Sequence, residues 1–116
     1  MENFDNKRSF HRVDAENEAV YKILGETVDL FNSGYIATTT KNISKGGVCL
    51  KLKDRIKRGN IVKIGIELSD DLKPINTFCE VAWCSHTEEG YEAGLKFITV
   101  GEKQKKHLED FVRTYN

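Results

Sequence analysis

The 116-residue sequence contains no long apolar run. No stretch approaches the roughly 18 apolar residues that a membrane-spanning helix needs, and residues 1–14 lack the apolar core of a signal peptide. Its three cysteines are odd in number and have no C-x-x-C spacing, so a disulfide framework is not expected. We therefore expect a cytoplasmic protein that does not insert into a membrane.

The sequence also lacks an excess of charge of either sign. Its 18 basic residues balance 18 acidic ones, so the formal net charge is +0. Such a balance argues against binding to duplex nucleic acid or to an anionic membrane surface, since both need a basic field. A barrel that binds single strands would need a basic groove with several exposed aromatic side chains, whereas the aromatic residues here are few. No nucleic-acid polymer is expected as a partner.

Patterns typical of catalysis and of metal binding are missing as well. The sequence has no nucleophile elbow, no phosphate-binding P-loop and no H-E-x-x-H pair. Cys84 and His86 lie two residues apart, but no second Cys/His pair stands at a spacing that would complete a zinc site. We expect a protein that is not an enzyme and holds neither a metal nor a cofactor.

Helical periodicity is scarce before the C-terminal end of the chain. Short segments with a period of two follow one another instead, joined by residues that favour turns. The segments predicted as strands are 19–23, 27–31, 35–41, 48–52, 61–68, 77–86 and 91–97. Nearly consecutive short strands joined by hairpins predict an all-β fold, a small antiparallel barrel of about six strands.

The period changes at the C-terminal end. Apolar side chains at Leu108, Phe111, Val112 and Tyr115 recur as on one face of an amphipathic helix. Thr99 is the predicted N-cap, with Glu102 completing a capping box. We therefore predict one domain, in which residues 1–17 are a flexible N-terminal segment, 18–98 form the barrel and 99–116 form a helix packed on it.

Two stretches depart from ordinary barrel sequence, RSFHR at 8–12 and NISKGG at 42–47. Arg8 and Arg12 are four residues apart, so both guanidinium groups can reach a common object from a helix or from an extended chain. The planar fork of arginine fits phosphate oxygens, or the O6 and N7 atoms of guanine. The alternative is a pair of solvated arginines on a disordered terminus.

The second stretch, which we call the elbow (residues 42–47), joins two predicted strands. Asn42 offers donor and acceptor groups, and Ser44 offers a hydroxyl. Gly46 and Gly47 allow close backbone approach or a positive φ, which would leave N–H groups available to an anion. The alternative is a turn in which Asn42 and Ser44 only satisfy local backbone groups.

Together, in this order, the stretches resemble the R-x-x-x-R and [D/N]-x-S-x-x-G motifs of the PilZ domain family, whose members bind the bacterial second messenger cyclic di-GMP. The GLKF ending of the last strand, at 94–97, and the terminal helix add to the resemblance. It implies that Arg8 and Arg12 bind guanine edges and phosphates. It also implies that Asn42 and Ser44 contact the nucleotide, and that Gly47 permits its close approach.

Three further residues are candidates for contacts with the nucleotide. Lys7 directly precedes the first motif and Gly46 lies within the second, and Lys7 would act as a point charge on a phosphate. Trp83 shares a predicted strand face with Cys79 and Val81, which favours a position in the core. Its alternative role is to stack on a guanine at the barrel surface.

The resemblance implies a bacterial receptor that relays the cyclic di-GMP signal to a protein partner. The N-terminal segment would become ordered as Arg8 and Arg12 fold over the nucleotide. The alternative within the same family is an interaction scaffold that does not bind nucleotide.

Overall fold

The computed structural model describes residues 12–25, 34–68 and 73–114. The elements are β1 (Val13–Asp14), β2 (Glu18–Ile23), β3 (Ile36–Ile43), β4 (Gly47–Leu52), β5 (Ile61–Ile66), β6 (Ile75–Thr87), β7 (Gly90–Thr99) and α1 (Glu102–Thr114). Within the described ranges every strand pairing is antiparallel, and the order β3-β2-β5-β6-β7-β4 is closed by a further pairing of β4 with β3. The predicted six-stranded barrel with one C-terminal helix is confirmed.

The interior of the barrel is filled by alternate side chains of its strands. Since successive side chains point to opposite faces of a strand, β4 and β5 each send every second residue inward. The predicted inward residues of these two strands are all buried, namely Val48, Leu50, Leu52, Val62, Ile64 and Ile66. The barrel is therefore a packed core rather than a cavity, and a ligand must bind on its outer surface or at an end.

Helix α1 covers one end of the barrel with its apolar stripe. Leu108, Phe111 and Val112 are buried as predicted, while Tyr115 lies outside the described residues. No helix in the described ranges is long and apolar enough to span a membrane.

The predicted N-cap of the helix is wrong. The Lys105 N–H donates to the Gly101 carbonyl at 2.8 Å, so Gly101 is the residue that caps the helix. Thr99 is instead the last residue of β7, where it pairs with Phe78 of β6. Strand pairing holds Thr99 in an extended conformation, and the helix begins at Glu102 rather than at residue 99.

The flexibility predicted for residues 1–17 does not hold for 13–17. Val13 and Ala15 are buried in the core, and the Ala15 N–H donates to the Lys41 carbonyl at 3.1 Å. The Asn17 side-chain amide donates to the Glu67 carbonyl at 2.7 Å. Two buried positions are too few to produce a visible period, so the sequence alone did not reveal this strand. Residues 1–11 and the predicted strand over 27–31 lie outside the described residues.

Replacing Leu108 by Ala is expected to destabilise the fold by about 2–5 kcal/mol, because the side chain is fully buried between α1 and the barrel. Urea unfolding followed by circular dichroism measures the change. The matched control is Leu24→Ala, since Leu24 is 39% exposed and should change stability by less than about 0.5 kcal/mol. Equal losses at both positions would show that α1 does not contribute to the core.

Alkaline pH is expected to destabilise the protein in part through Cys79. Burial raises the pKa of this thiol from its ordinary value of 9.0 to about 12. The unfolded chain releases the proton above pH 9 while the folded protein keeps it. The stabilising contribution is therefore complete below pH 9 and is lost as the pH rises toward 12.

This effect should cost roughly 1 kcal/mol between about pH 8 and about pH 10. Urea unfolding at both pH values measures the loss in the wild-type protein and in Cys79→Ala. The variant should lose less stability than the wild type over this interval, whereas Cys84→Ala, at a half-buried cysteine, should follow the wild type. Burial also raises the pKa of Tyr21 and Cys49, so only the difference between proteins is diagnostic. Identical losses in all three would contradict the assignment.

Candidate functional site

Strand β1 brings the N-terminal segment to the elbow. Val13 pairs with Ile43, and Asp14 pairs with Asn42, at the end of β3. Arg12 directly precedes this pairing and is half-buried. Of the two predicted arginines, Arg12 therefore lies beside the elbow, whereas Arg8, like Lys7, lies outside the described residues.

The elbow is tighter than predicted, because β3 continues through Ile43 and β4 begins at Gly47. The Ser44 N–H donates to the Gly47 carbonyl at 2.9 Å. In turn, the Ser44 hydroxyl oxygen accepts from the N–H groups of Gly46 at 3.1 Å and Gly47 at 3.2 Å. Ser44 thus satisfies local backbone groups, as in the alternative interpretation of the motif, and its contact with a ligand stays a prediction.

Gly47 is required by the packing of β4 against β7. Its φ is not positive, so the conformational freedom of glycine is not what the position uses. A Cβ atom there would lie 2.2 Å from the carbonyl oxygen of Leu95. The Phe97 N–H also donates to the Gly46 carbonyl at 2.9 Å, which ties the elbow to β7. The second half of the motif therefore fixes how closely these two strands approach.

The registers align a row of residues on the outer face of the barrel. Asn42 of β3 pairs with Cys49 of β4, and Cys49 pairs with Gly94 of β7. Gly94 in turn pairs with Trp83 of β6. We call these four residues the outer row. At the usual strand separation of ~4.8 Å the row extends about 14 Å around the curved surface, across three of the six strand spacings of the barrel.

Trp83 does not belong to the core, so the prediction of a core position is wrong. A β-bulge between Val81 and Trp83 inserts one residue into β6, which reverses the face on which the following side chains lie. The indole is half-buried and lies across Gly94, where a Cβ atom would be 2.2 Å from its Nε1. Glycine at 94 therefore leaves the space that the indole occupies, a role that the sequence did not indicate.

Cys49 lies in the middle of the outer row, yet only 2% of it is exposed. Burial raises the pKa of the thiol, and the charge of Glu92 raises it further. The charges of Lys41 and Arg12 act in the opposite direction and lower this pKa. Arg12 is therefore near enough to the outer row for its charge to affect the Cys49 thiol.

Lysines of β3, of the elbow and of β4 form ion pairs with carboxylates. Lys41 pairs with Glu92 at 3.0 Å, and Lys51 pairs with Glu16. Lys45, within the elbow, pairs with Glu109 of α1 at 3.5 Å. The last pair joins the elbow to the helix.

The structure thus brings five of the eight predicted residues together where β3 ends and β4 begins, namely Arg12, Asn42, Ser44, Gly46 and Gly47. It places Trp83 on β6, which is reached from β3 across β4 and β7. A guanidinium group, an amide and a flat indole are suited to binding a base and an anion. Among the described residues no group of three or more His, Cys, Asp or Glu side chains could hold a metal ion.

A family model, PilZ domain, matches residues 6–114 of the sequence. No protein of curated function matches the sequence.

Several solved structures share the fold. The Bacillus subtilis inhibitor of motility MotI/DgrA superposes with a TM-score of 0.77 at 19% identity, over 92% of this chain and 50% of that one. The chain thus spans about half the length of MotI/DgrA.

Two isolated PilZ domains are similar over nearly their whole length. The PilZ domain of Escherichia coli YcgR, solved with c-di-GMP, gives a TM-score of 0.70 at 10% identity, over 94% of this chain and 91% of that one. A tetrameric PilZ domain protein from Xanthomonas campestris gives 0.70 at 11% identity, over 95% and 91%. At these identities the likeness concerns the fold.

Replacing Gly47 by Ser is expected to lower stability by about 1–3 kcal/mol, because the new side chain would collide with the Leu95 carbonyl. The melting temperature measures the loss. Gly101→Ser is the matched control, since the nearest atom to a Cβ there is 3.8 Å away and serine is a favoured N-cap. A Gly47→Ser variant as stable as the wild type would contradict the close packing of β4 on β7.

Proposed function

The chain belongs to the PilZ domain family, and on that premise we propose that it is a non-enzymatic receptor for cyclic di-GMP in the bacterial cytoplasm. The observation that carries the proposal is the outer row with Arg12 beside it. Asn42 lies at one end of this row and Trp83 at the other. The c-di-GMP-bound PilZ domain of YcgR has the same fold and supports the choice of ligand.

The chemistry of the ligand matches the groups on this face. Cyclic di-GMP has two guanines and two phosphates. An indole offers a stacking surface that contributes about 1–3 kcal/mol per base, and an arginine binds guanine O6 and N7, or phosphate, with two hydrogen bonds. We propose that Trp83 stacks on one guanine and that Arg12 binds the other guanine or a phosphate.

The elbow, where β3 ends and β4 begins, supplies further groups to the proposed site. Asn42 supplies an amide that can donate to a phosphate or pair with a base edge. The hydrogen bonds from Gly46 and Gly47 to Ser44 brace the turn, so the surface offered to the ligand is formed in advance and less ordering is needed on binding. We propose that Arg8 and Lys7 also contact the ligand, and these two residues lie outside the described part of the chain.

The signal would pass to a protein partner. One route is the ion pair between Lys45 of the elbow and Glu109 of α1. A phosphate bound near the elbow would compete for Lys45 and would change the charge presented by the helix.

A second candidate is an interaction scaffold that does not bind nucleotide. The observation that favours it is that the Ser44 hydroxyl accepts hydrogen bonds from Gly46 and Gly47. A motif that only stabilised the fold would form the same hydrogen bonds. The two candidates differ in one measurable property, the affinity for cyclic di-GMP.

Calorimetric titration with cyclic di-GMP tests the proposal, with GTP as the control ligand. We expect micromolar affinity, equivalent to about −8 kcal/mol, and no binding of GTP. Arg12→Ala should weaken binding at least about tenfold, because a hydrogen-bonded charge is lost. Arg55→Ala is the matched control, since Arg55 is exposed on the loop between β4 and β5, beyond the end of β4 opposite the elbow.

The outcomes separate the two candidates. Binding by the wild type and by Arg55→Ala, with loss in Arg12→Ala, supports the receptor. No heat and no shift in melting temperature with the wild-type protein would overturn it and leave the scaffold. Equal affinity in both arginine variants would remove Arg12 from the site.

A further inference from the structure

Lys96 lies on the same outer face as the outer row. Ala93, Leu95 and Phe97 of β7 are buried in the core, so Gly94 and Lys96 point outward. The register places Lys96 directly opposite Gly47 of the elbow on one side. The Lys96 side chain is thus next to the elbow and on the same face of β7 as Gly94 of the outer row.

Lys96 differs from Lys41, Lys45 and Lys51 in its charge environment. Lys41, Lys45 and Lys51 each pair with a carboxylate. Lys96 is exposed, and within the described part of the chain it takes part in no ion pair. Glu80 lies directly across from it on β6, yet the two side chains do not form a salt bridge. An ammonium group beside the elbow is therefore available to an anion.

The surroundings of Lys96 also leave room for a ligand. Its neighbour across the ladder, Gly47, has no side chain, and neither does Gly94, two residues earlier on the same face. The atoms nearest to a Cβ placed at Gly94 all belong to the Trp83 indole, which is the proposed stacking surface. Lys96 thus lies between the elbow and this indole on the outer face of β7.

We propose that Lys96 is a further ligand-binding residue, whose ammonium pairs with a phosphate of the nucleotide. This rests on the proposed function. Arg12 reaches the row from the β1 side, and Lys96 reaches it from β7, so the two cations flank β4. A cyclic dinucleotide has two phosphates, and lysine binds a phosphate as a compact point charge. Each cation would therefore serve a different part of the ligand.

Calorimetric titration of Lys96→Ala with cyclic di-GMP tests this inference. We expect affinity to fall about tenfold, as for the loss of one charge-assisted hydrogen bond, with an unchanged melting temperature. Lys96→Arg should keep most of the affinity, because it keeps the charge. Binding to the wild type should weaken with added salt more steeply than binding to Lys96→Ala, since one screened ion pair is missing in the variant.

Lys63→Ala is the matched control. Lys63 is also an exposed, outward lysine, but it lies on β5, which is separated from β7 by β6. Its removal should leave affinity and salt dependence unchanged. If the wild type binds and Lys96→Ala binds equally well with the same salt dependence, the role of Lys96 is refuted while the receptor stands. If the wild type itself does not bind, the proposed function fails.

Discussion

The pairing of β4 with both β3 and β7 is the constraint on which the fold and the candidate site depend. It closes the barrel, and it places Cys49 between Asn42 and Gly94. The close approach of β4 to β7 requires glycine at 47, and the hydrogen bonds to Ser44 set the direction in which the chain enters β4. The motif residues thus contribute to the architecture before any ligand is considered.

Much of the fold could be predicted because the relevant signals are local. The period of two in β4 and β5 and the apolar stripe that includes Leu108 and Phe111 reflect burial on one face of each element. These patterns can be recognised without knowing how the strands pair. The errors arise where tertiary pairing overrides a local pattern. Thr99 has the sequence of an N-cap but is held in β7 by β6, and Val13 belongs to a strand too short to show a period.

The candidate site could be predicted only as far as its linear motifs. Arg12 and Asn42 stand in linear motifs whose combination resembles that of the family, and β1 brings them together. The place of Gly94 beneath the indole and the proposed role of Lys96 follow from the register of β7, which no local spacing specifies. Trp83 was assigned to the wrong face because one inserted residue in β6 reverses the alternation.

The filled core also limits how a bound nucleotide could act. A ligand on the outer row would not rearrange the interior, since the inward side chains of β4 and β5 are already buried. The link from elbow to helix is an ion pair whose two side chains are each more than a third exposed, and such pairs contribute only about 0.2–1 kcal/mol. A bound phosphate can therefore displace Lys45 from Glu109 at little energetic cost. The change that a partner would detect is one of surface charge rather than of fold.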